Sequence, residues 1–242
     1  IDTALNQAQQ MLTAGATVID VGGESTRPGA TQISSAEEIS RIRDVITELV
    51  RAGVRVSLDT MKPEVAEYGV KAGVQYINDV SGGKADSKKF YVVSNSDCDY
   101  VLMHWRGHSH VMDSLTNYGD VVEDLISEWL VQKNQAIAAG IDSNKIILDP
   151  GLGFAKESHH NWQVLAQLPK LQELGHRVLI GASRKRFLAP VSPLETVNSR
   201  DIPTAQISGW CAQHQIHAVR VHDVATSVSA IKTIKEIGSH VG

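Results

Sequence analysis

TVIDVGGESTRPGA, residues 17–30, is a short apolar run interrupted by one carboxylate, Asp20, and opening directly into a polar loop. Such a run suits a strand buried on both faces. Gly22-Gly23 ends it, and the loop that follows carries Glu24, Ser25, Thr26 and Arg27. The pattern recurs six more times, so strands are expected at 17–23, 55–60, 76–81, 100–105, 145–151, 178–183 and 218–224. Each is short, apolar and polar at its C-terminal end.

Helical stretches separate these strands. The chain opens on one, with Ala4, Ala8, Met11 and Leu12 leading to Gly15. Ser35 and Glu38 have capping-box spacing, and Ile39, Ile42, Val45, Ile46 and Leu49 then repeat at helical intervals up to Gly53. Pro63 fits the first turn of a helix running to Gly73. Further helices are expected over 121–139, 161–174, 202–213 and 227–237. Two longer polar connections remain, 107–119 and 191–200.

Strand–helix alternation implies parallel strands joined by right-handed crossovers. A doubly wound sheet would gather polar residues at one switch point, whereas here nearly every strand ends in them and GxGxxG is absent. The expected fold is therefore α/β, a (β/α)8 TIM barrel, with residues 1–242 as a single domain. Closure needs about eight strands. The seven expected here place the first strand and its loop upstream of Ile1.

Composition narrows the function. At 242 residues, 42% hydrophobic and 21% charged, the chain can bury a sizeable core. A net charge of -4 argues against general nucleic-acid binding. Cys98 and Cys211 belong to no metal or redox spacing, no apolar run is long enough to span a membrane, and no secretory leader is apparent. A reduced, cytoplasmic protein is expected, with no membrane or nucleic-acid partner.

Side chains alternate across a strand, so parity shows which polar residues share a face. Asp59 aligns with Ser57, Asn78 with Tyr76, Asp149 with Ile147, Ser183 with Gly181, and His222 with Arg220. Together with Lys185 they make a ring at the strands' C-terminal mouth. Asp59, Asn78 and Asp149 suit a flat heterocycle offering N–H donors. Arg220, His222, Lys185 and the Thr26–Arg27 loop suit an oxyanion such as phosphate. Each residue also has a bland reading: a lone strand-end Asp caps a helix, Arg220 pairs structurally, and residues 184–186 form a solvated basic run. Agreement in parity and position across separate strands favours the site.

The motifs DVGGESTRPGA, VSLDT-x-KP, INDVSGG, LMHW, LDPGLGFAK, GASRKRFL and RVHDV, in this order, resemble the dihydropteroate synthase family of pterin-binding enzymes. LMHWR and DPGLGFAK look most like its actinobacterial form. The resemblance implies condensation of 6-hydroxymethyl-7,8-dihydropterin diphosphate with p-aminobenzoate, giving 7,8-dihydropteroate and pyrophosphate for folate synthesis, with Mg2+ assisting. By motif, Asp59, Asn78 and Asp149 would hold the pterin and Lys185 its carbonyl side. Arg220 and His222 would hold the diphosphate, and these two with Lys185 would be catalytic. Thr26, Arg27, Pro28, Ser183 and Phe154 would form the aminobenzoate side, and Met103 would also contact substrate. Sulfonamide inhibition and a homodimer built through 202–213 and 227–237 are further implications. The family also opens with a strand and loop close to NVTPDSFSDGG, whose Asn approaches the metal. Nothing like it stands in this sequence, so no metal ligand is assigned here and that Asn is expected upstream of Ile1.

Three rival functions compete with this one. A pterin-binding methyltransferase shares the carboxylates but has no use for ESTRPG, SRK and RVHDV together. A metal hydrolase is suggested by His104, His108 and His110, although His104 is opposite in parity to Met103 and Trp105 and the others lie in a polar loop. A non-catalytic pterin-binding paralogue rests only on the missing N-terminal loop.

Overall fold

The computed structural model describes residues 1–25, 32–108 and 111–240. Thr26, Arg27 and Pro28, and His110 of the histidine cluster, lie outside the described residues. In chain order the elements are α1 (Asp2–Thr13), β1 (Ile19–Gly22), α2 (Ser35–Arg51), β2 (Val56–Asp59), α3 (Pro63–Ala72), β3 (Tyr76–Asp79), α4 (Lys88–Ser94) and β4 (Asp99–Met103). They continue with α5 (Val121–Ala138), β5 (Ile146–Asp149), α6 (Ser158–Ala166), α7 (Leu168–Gln172), β6 (Arg177–Ile180), α8 (Asp201–Gln213), β7 (Ala218–Val219) and α9 (Val224–Ser239).

The seven strands pair in sequence order, each parallel to the next. Register places Gly22 beside Asp59, Asp59 beside Asn78, and Met103 beside Asp149, so the strands' C-terminal ends come level at one mouth. The sheet curls until its edges approach. Arg220, one residue beyond β7, donates from Nε to Asp20 of β1 at 2.6 Å. That is the curled α/β barrel expected from the strand pattern.

Between sheet and helices lies an apolar layer containing Ile42, Ile46, Leu58, Ile77, Leu102, Trp129 and Leu148, all nearly inaccessible. Helix α3 lies so close to β2 that a Cβ on Gly69 would stand 2.3 Å from Leu58 Cδ2. One full ion pair is also buried in this layer. Lys89 Nζ lies 2.9 Å from Asp79 Oδ1 and donates to Thr60 O at 2.7 Å. Asp79 accepts further bonds from Ser81, Gly83 N and Tyr100 OH, so both charges are satisfied inside the fold.

Local details differ from the sequence expectation. The cap of α2 is Ser34, whose Oγ accepts from Glu37 N at 3.1 Å, one residue before the expected Ser35. Glu38 is buried and meets Lys62 instead of closing a capping box. The helix expected over 161–174 divides at Gln167, because Pro169 cannot continue the hydrogen-bond ladder. Helix α4 has no counterpart among the expected helices, being short and buried on Phe90 and Val93. No described helix is long and apolar enough to cross a membrane.

Candidate active site

The mouth is built from strand ends, and its acidic part comes first. Asp20, Asp59 and Asn78 stand on three neighbouring strands. Asn78 Nδ2 donates to Asp20 Oδ1 at 3.4 Å. Arg220 bridges both carboxylates, reaching Asp20 Oδ2 at 2.6 Å and Asp59 Oδ2 at 3.3 Å. Asp59 Oδ1 is buried and receives no hydrogen bond from the protein. Burial, and then the neighbouring Asp20 charge, raise the Asp59 pKa from 3.8 to about 7 against the opposing pull of Arg220. The two carboxylates hold the Arg220 guanidinium well above its ordinary range.

Across the mouth, Asp149 ends β5 and is held by Gly151 N, which donates to Oδ1 at 2.8 Å. Burial raises its pKa, with Lys185 the largest opposing influence. Lys185 Nζ donates to Leu152 O and sits 4.9 Å from the Phe154 ring centre. Desolvation lowers this ammonium to about 8, so it stays mainly charged at neutral pH. Met103 is buried beside Asp149 in the strand register.

Ser183 and His222 form a local pair. Ser183 Oγ accepts from His222 N at 3.1 Å and lies 2.8 Å from His222 Nδ1. The hydroxyl can accept twice and donate once, so this contact ties the imidazole to Ser183 in either tautomer. Between Ser183 and Lys185, Arg184 takes a left-handed backbone with φ 58°. A bidentate pair with Asp201 at 2.7 and 2.8 Å holds it there, and Thr204 and Arg200 bond its backbone. This reversal lets Ser183 and Lys185, two residues apart, both reach the mouth.

Thus Asp59, Asn78, Asp149, Ser183, Lys185, Arg220, His222, Phe154 and Met103 gather around one opening. Thr26, Arg27 and Pro28, expected from the sequence to join them, lie outside the described residues. Glu24 Oε2 accepts from Ile33 N at 2.9 Å and from Lys62 Nζ at 2.5 Å.

A family model for pterin binding enzymes matches residues 1–222. The chain belongs to the pterin-binding enzyme family. Within it, the dihydropteroate synthase of Mycobacterium leprae is 42% identical over 239 residues, covering 96% of this chain and 84% of the relative. The solved Yersinia pestis dihydropteroate synthase, in complex with a sulfonamide drug, superposes with a TM-score of 0.94 at 35% identity, covering 98% of this chain and 86% of that one. The Anaplasma phagocytophilum enzyme, with bound 6-hydroxymethylpterin-monophosphate, gives 0.90 at 35% identity, covering 98% and 90%.

The candidate site also draws on residues that motif spacing did not flag. Asp20 was visible only as a carboxylate interrupting a strand; the register that sets it opposite Ser57 belongs to the tertiary structure. Asp201 gave no signal, because its role comes from a turn seventeen residues upstream. His104 is not arranged as a metal ligand. Its Nε2 meets Glu128 Oε2 at 2.9 Å and its Nδ1 meets Lys156 Nζ at 3.0 Å. Among the described residues, no group of three or more His, Cys, Asp and Glu is placed to hold a metal ion.

Proposed function

We propose that this protein is a dihydropteroate synthase, joining 6-hydroxymethyl-7,8-dihydropterin diphosphate to p-aminobenzoate with release of pyrophosphate. The observation that carries the reading is the buried, unpartnered Asp59 Oδ1 beside Asn78, facing a cluster of cations on the same mouth. An orphan acceptor of this kind costs free energy until a donor fills it, and a pterin's amino and ring N–H groups are such donors. The relatives support the reading, being dihydropteroate synthases with pterin and sulfonamide ligands.

Asp59, Asn78 and Asp149 grip the ring edge, and Lys185 donates to its carbonyl side. Phe154 and Ser183 form the aminobenzoate side, completed by Thr26, Arg27 and Pro28, and Met103 contacts substrate beside Asp149. Arg220 and His222 meet the diphosphate. As the exocyclic C–O bond breaks, negative charge grows on the leaving oxygens and positive charge spreads over the dihydropterin ring. Cations at one end and carboxylates at the other stabilise both charges together. The arylamine nitrogen then forms the new C–N bond, loses its proton to solvent and needs only positioning, not a strong base.

Mg2+ is compatible with this mouth as a companion of the diphosphate. The ion would be held mainly by phosphate oxygens and water, since Asp20, the nearest mouth carboxylate, already accepts from Asn78 and Arg220. When bound, it would compensate charge on the leaving oxygens. Pairing of two copies through α8 and α9, where Ile202, Trp210 and Ile237 are exposed, completes the reading, and sedimentation of the purified protein tests it.

The decisive assay supplies dihydropterin diphosphate, aminobenzoate and Mg2+ to the full-length protein and measures pyrophosphate and 7,8-dihydropteroate. Turnover competed by a sulfonamide is expected. Binding of pterin with no pyrophosphate released under any supply of aminobenzoate would instead identify a non-catalytic paralogue.

A further inference from the structure

Lys156 is a buried amine at the site that the mechanism above does not use. It follows Phe154 in the loop after β5, where Gly151, Gly153 and Ala155 all have positive φ. A loop with so many left-handed residues needs external ties to keep one shape. Tyr118 OH donates to Ala155 O at 2.9 Å, and Gly153 N donates to Asn161 Oδ1 at 2.6 Å. From inside, Lys156 Nζ donates to Phe154 O at 3.3 Å and Gly151 O at 3.4 Å.

The amine is itself anchored. Its Nζ lies 3.0 Å from His104 Nδ1, and His104 Nε2 lies 2.9 Å from Glu128 Oε2. Arg106 clamps Glu128 with contacts of 2.5 to 3.1 Å and stacks 3.7 Å above the Tyr118 ring. The donors and acceptors allow this chain one direction. Glu128 accepts only, so His104 donates through Nε2, and Nδ1 must then accept from Lys156. Burial and the Lys156 charge hold His104 near 3, so the ring remains neutral.

We propose that Lys156 is a positioning residue for the arylamine substrate, acting through the backbone of the Gly151–Phe154 loop and braced by the His104–Glu128–Arg106 chain. The inference rests on the function proposed above. Leu152 O of the same loop holds Lys185, and the Phe154 ring stands beside that ammonium. Lys156 holds Phe154 O directly, so release of this inner tie displaces the Phe154 ring of the aminobenzoate side first; Lys185 and Asp149 feel it less directly, through Leu152 O and Gly151 N, and Asp59, Asn78 and Arg220 sit on separate strands. Groups facing Lys156 are Asp149 on β5, Lys185, Arg106, Glu128, His104, His160 and the Tyr118 ring. Desolvation, partly offset by Asp149, brings its pKa down to about 7. The ammonium, with three donors, is present below that value, and one donor is lost above it.

The test is steady-state kinetics of full-length wild type, K156M and H104Q, with each substrate varied and pH scanned. In K156M the aminobenzoate KM is expected to rise about tenfold, while the pterin diphosphate KM, which the loop reaches only through Lys185 and Asp149, rises clearly less, by about threefold at most. Wild-type kcat/KM for aminobenzoate should fall above about 7, and K156M should lack that limb. H104Q, which removes the Nδ1 acceptor, should show the same split more weakly. If K156M folds poorly by circular dichroism, H104Q alone decides the question. Unchanged aminobenzoate KM, or equal changes in both KM values, overturns this inference in an active background. Wild-type protein that makes no pyrophosphate overturns the function itself. Nitrogen NMR of His104 showing the proton on Nδ1 would also overturn the proposed direction of the chain.

Discussion

Asp59 is where binding and stability oppose each other. Its carboxyl titrates near 7 because it is buried beside Asp20. Pterin N–H donors favour the carboxylate, so binding below that pH must release a proton. Pterin affinity should therefore rise with pH by up to about tenfold per unit and level off above about 7. Calorimetry in buffers of different ionisation enthalpy reads the released proton directly. The same raised pKa means this group's contribution to stability is complete below 3.8 and is lost as pH rises through about 7. Ligand-free D59N should consequently melt higher than wild type at pH 8 while binding pterin at least about tenfold more weakly. A lower melting temperature for D59N at that pH would show that Asp59 is not held against its own charge.

Individual elements depend on close approaches and caps. Helix α3 meets β2 at Gly69, where any side chain runs into the fully buried Leu58. G69A should lose about 1–3 kcal/mol in urea unfolding, although alanine is the better helix former. Helix α2 begins at the Ser34 hydroxyl, and S34A should cost about 1 kcal/mol by the same measurement. The effects should add, because the two changes share no partner. Both the cap and the apolar face of α2 were readable from spacing. The one-residue shift of the cap was not, since Ser34 and Ser35 offer the same hydroxyl and backbone entry angle decides between them.

In the molecule as a whole, a buried ion pair lies behind the mouth. Lys89 reaches from α4 to Asp79 of β3 and to Thr60 O, just past Asp59. K89M would leave Asp79 charged and without its cation in the interior, costing about 3–5 kcal/mol in denaturant unfolding. Loss of less than about 1 kcal/mol would mean Tyr100, Ser81 and Gly83 suffice to hold that carboxylate. Curling of the sheet is equally a property of the whole. The Arg220–Asp20 contact joins residues at opposite ends of the described sheet, and no local preference encodes it.

Strand alternation, helix periods and terminal glycines were enough for the parallel α/β barrel, because each reports a local choice between burial and solvent. Parity likewise picked out Asp59, Asn78 and Asp149, since alternate side chains of a strand share a face. Several features waited for the tertiary structure. They include the bridging of Asp20 and Asp59 by Arg220, the left-handed Arg184 held by Asp201, and the turning of His104 toward Glu128 and Lys156. Each depends on distances between segments far apart in sequence. The physical reason is that a residue's type states which bonds it can make, while only packing decides which partner arrives within about 3 Å to make them.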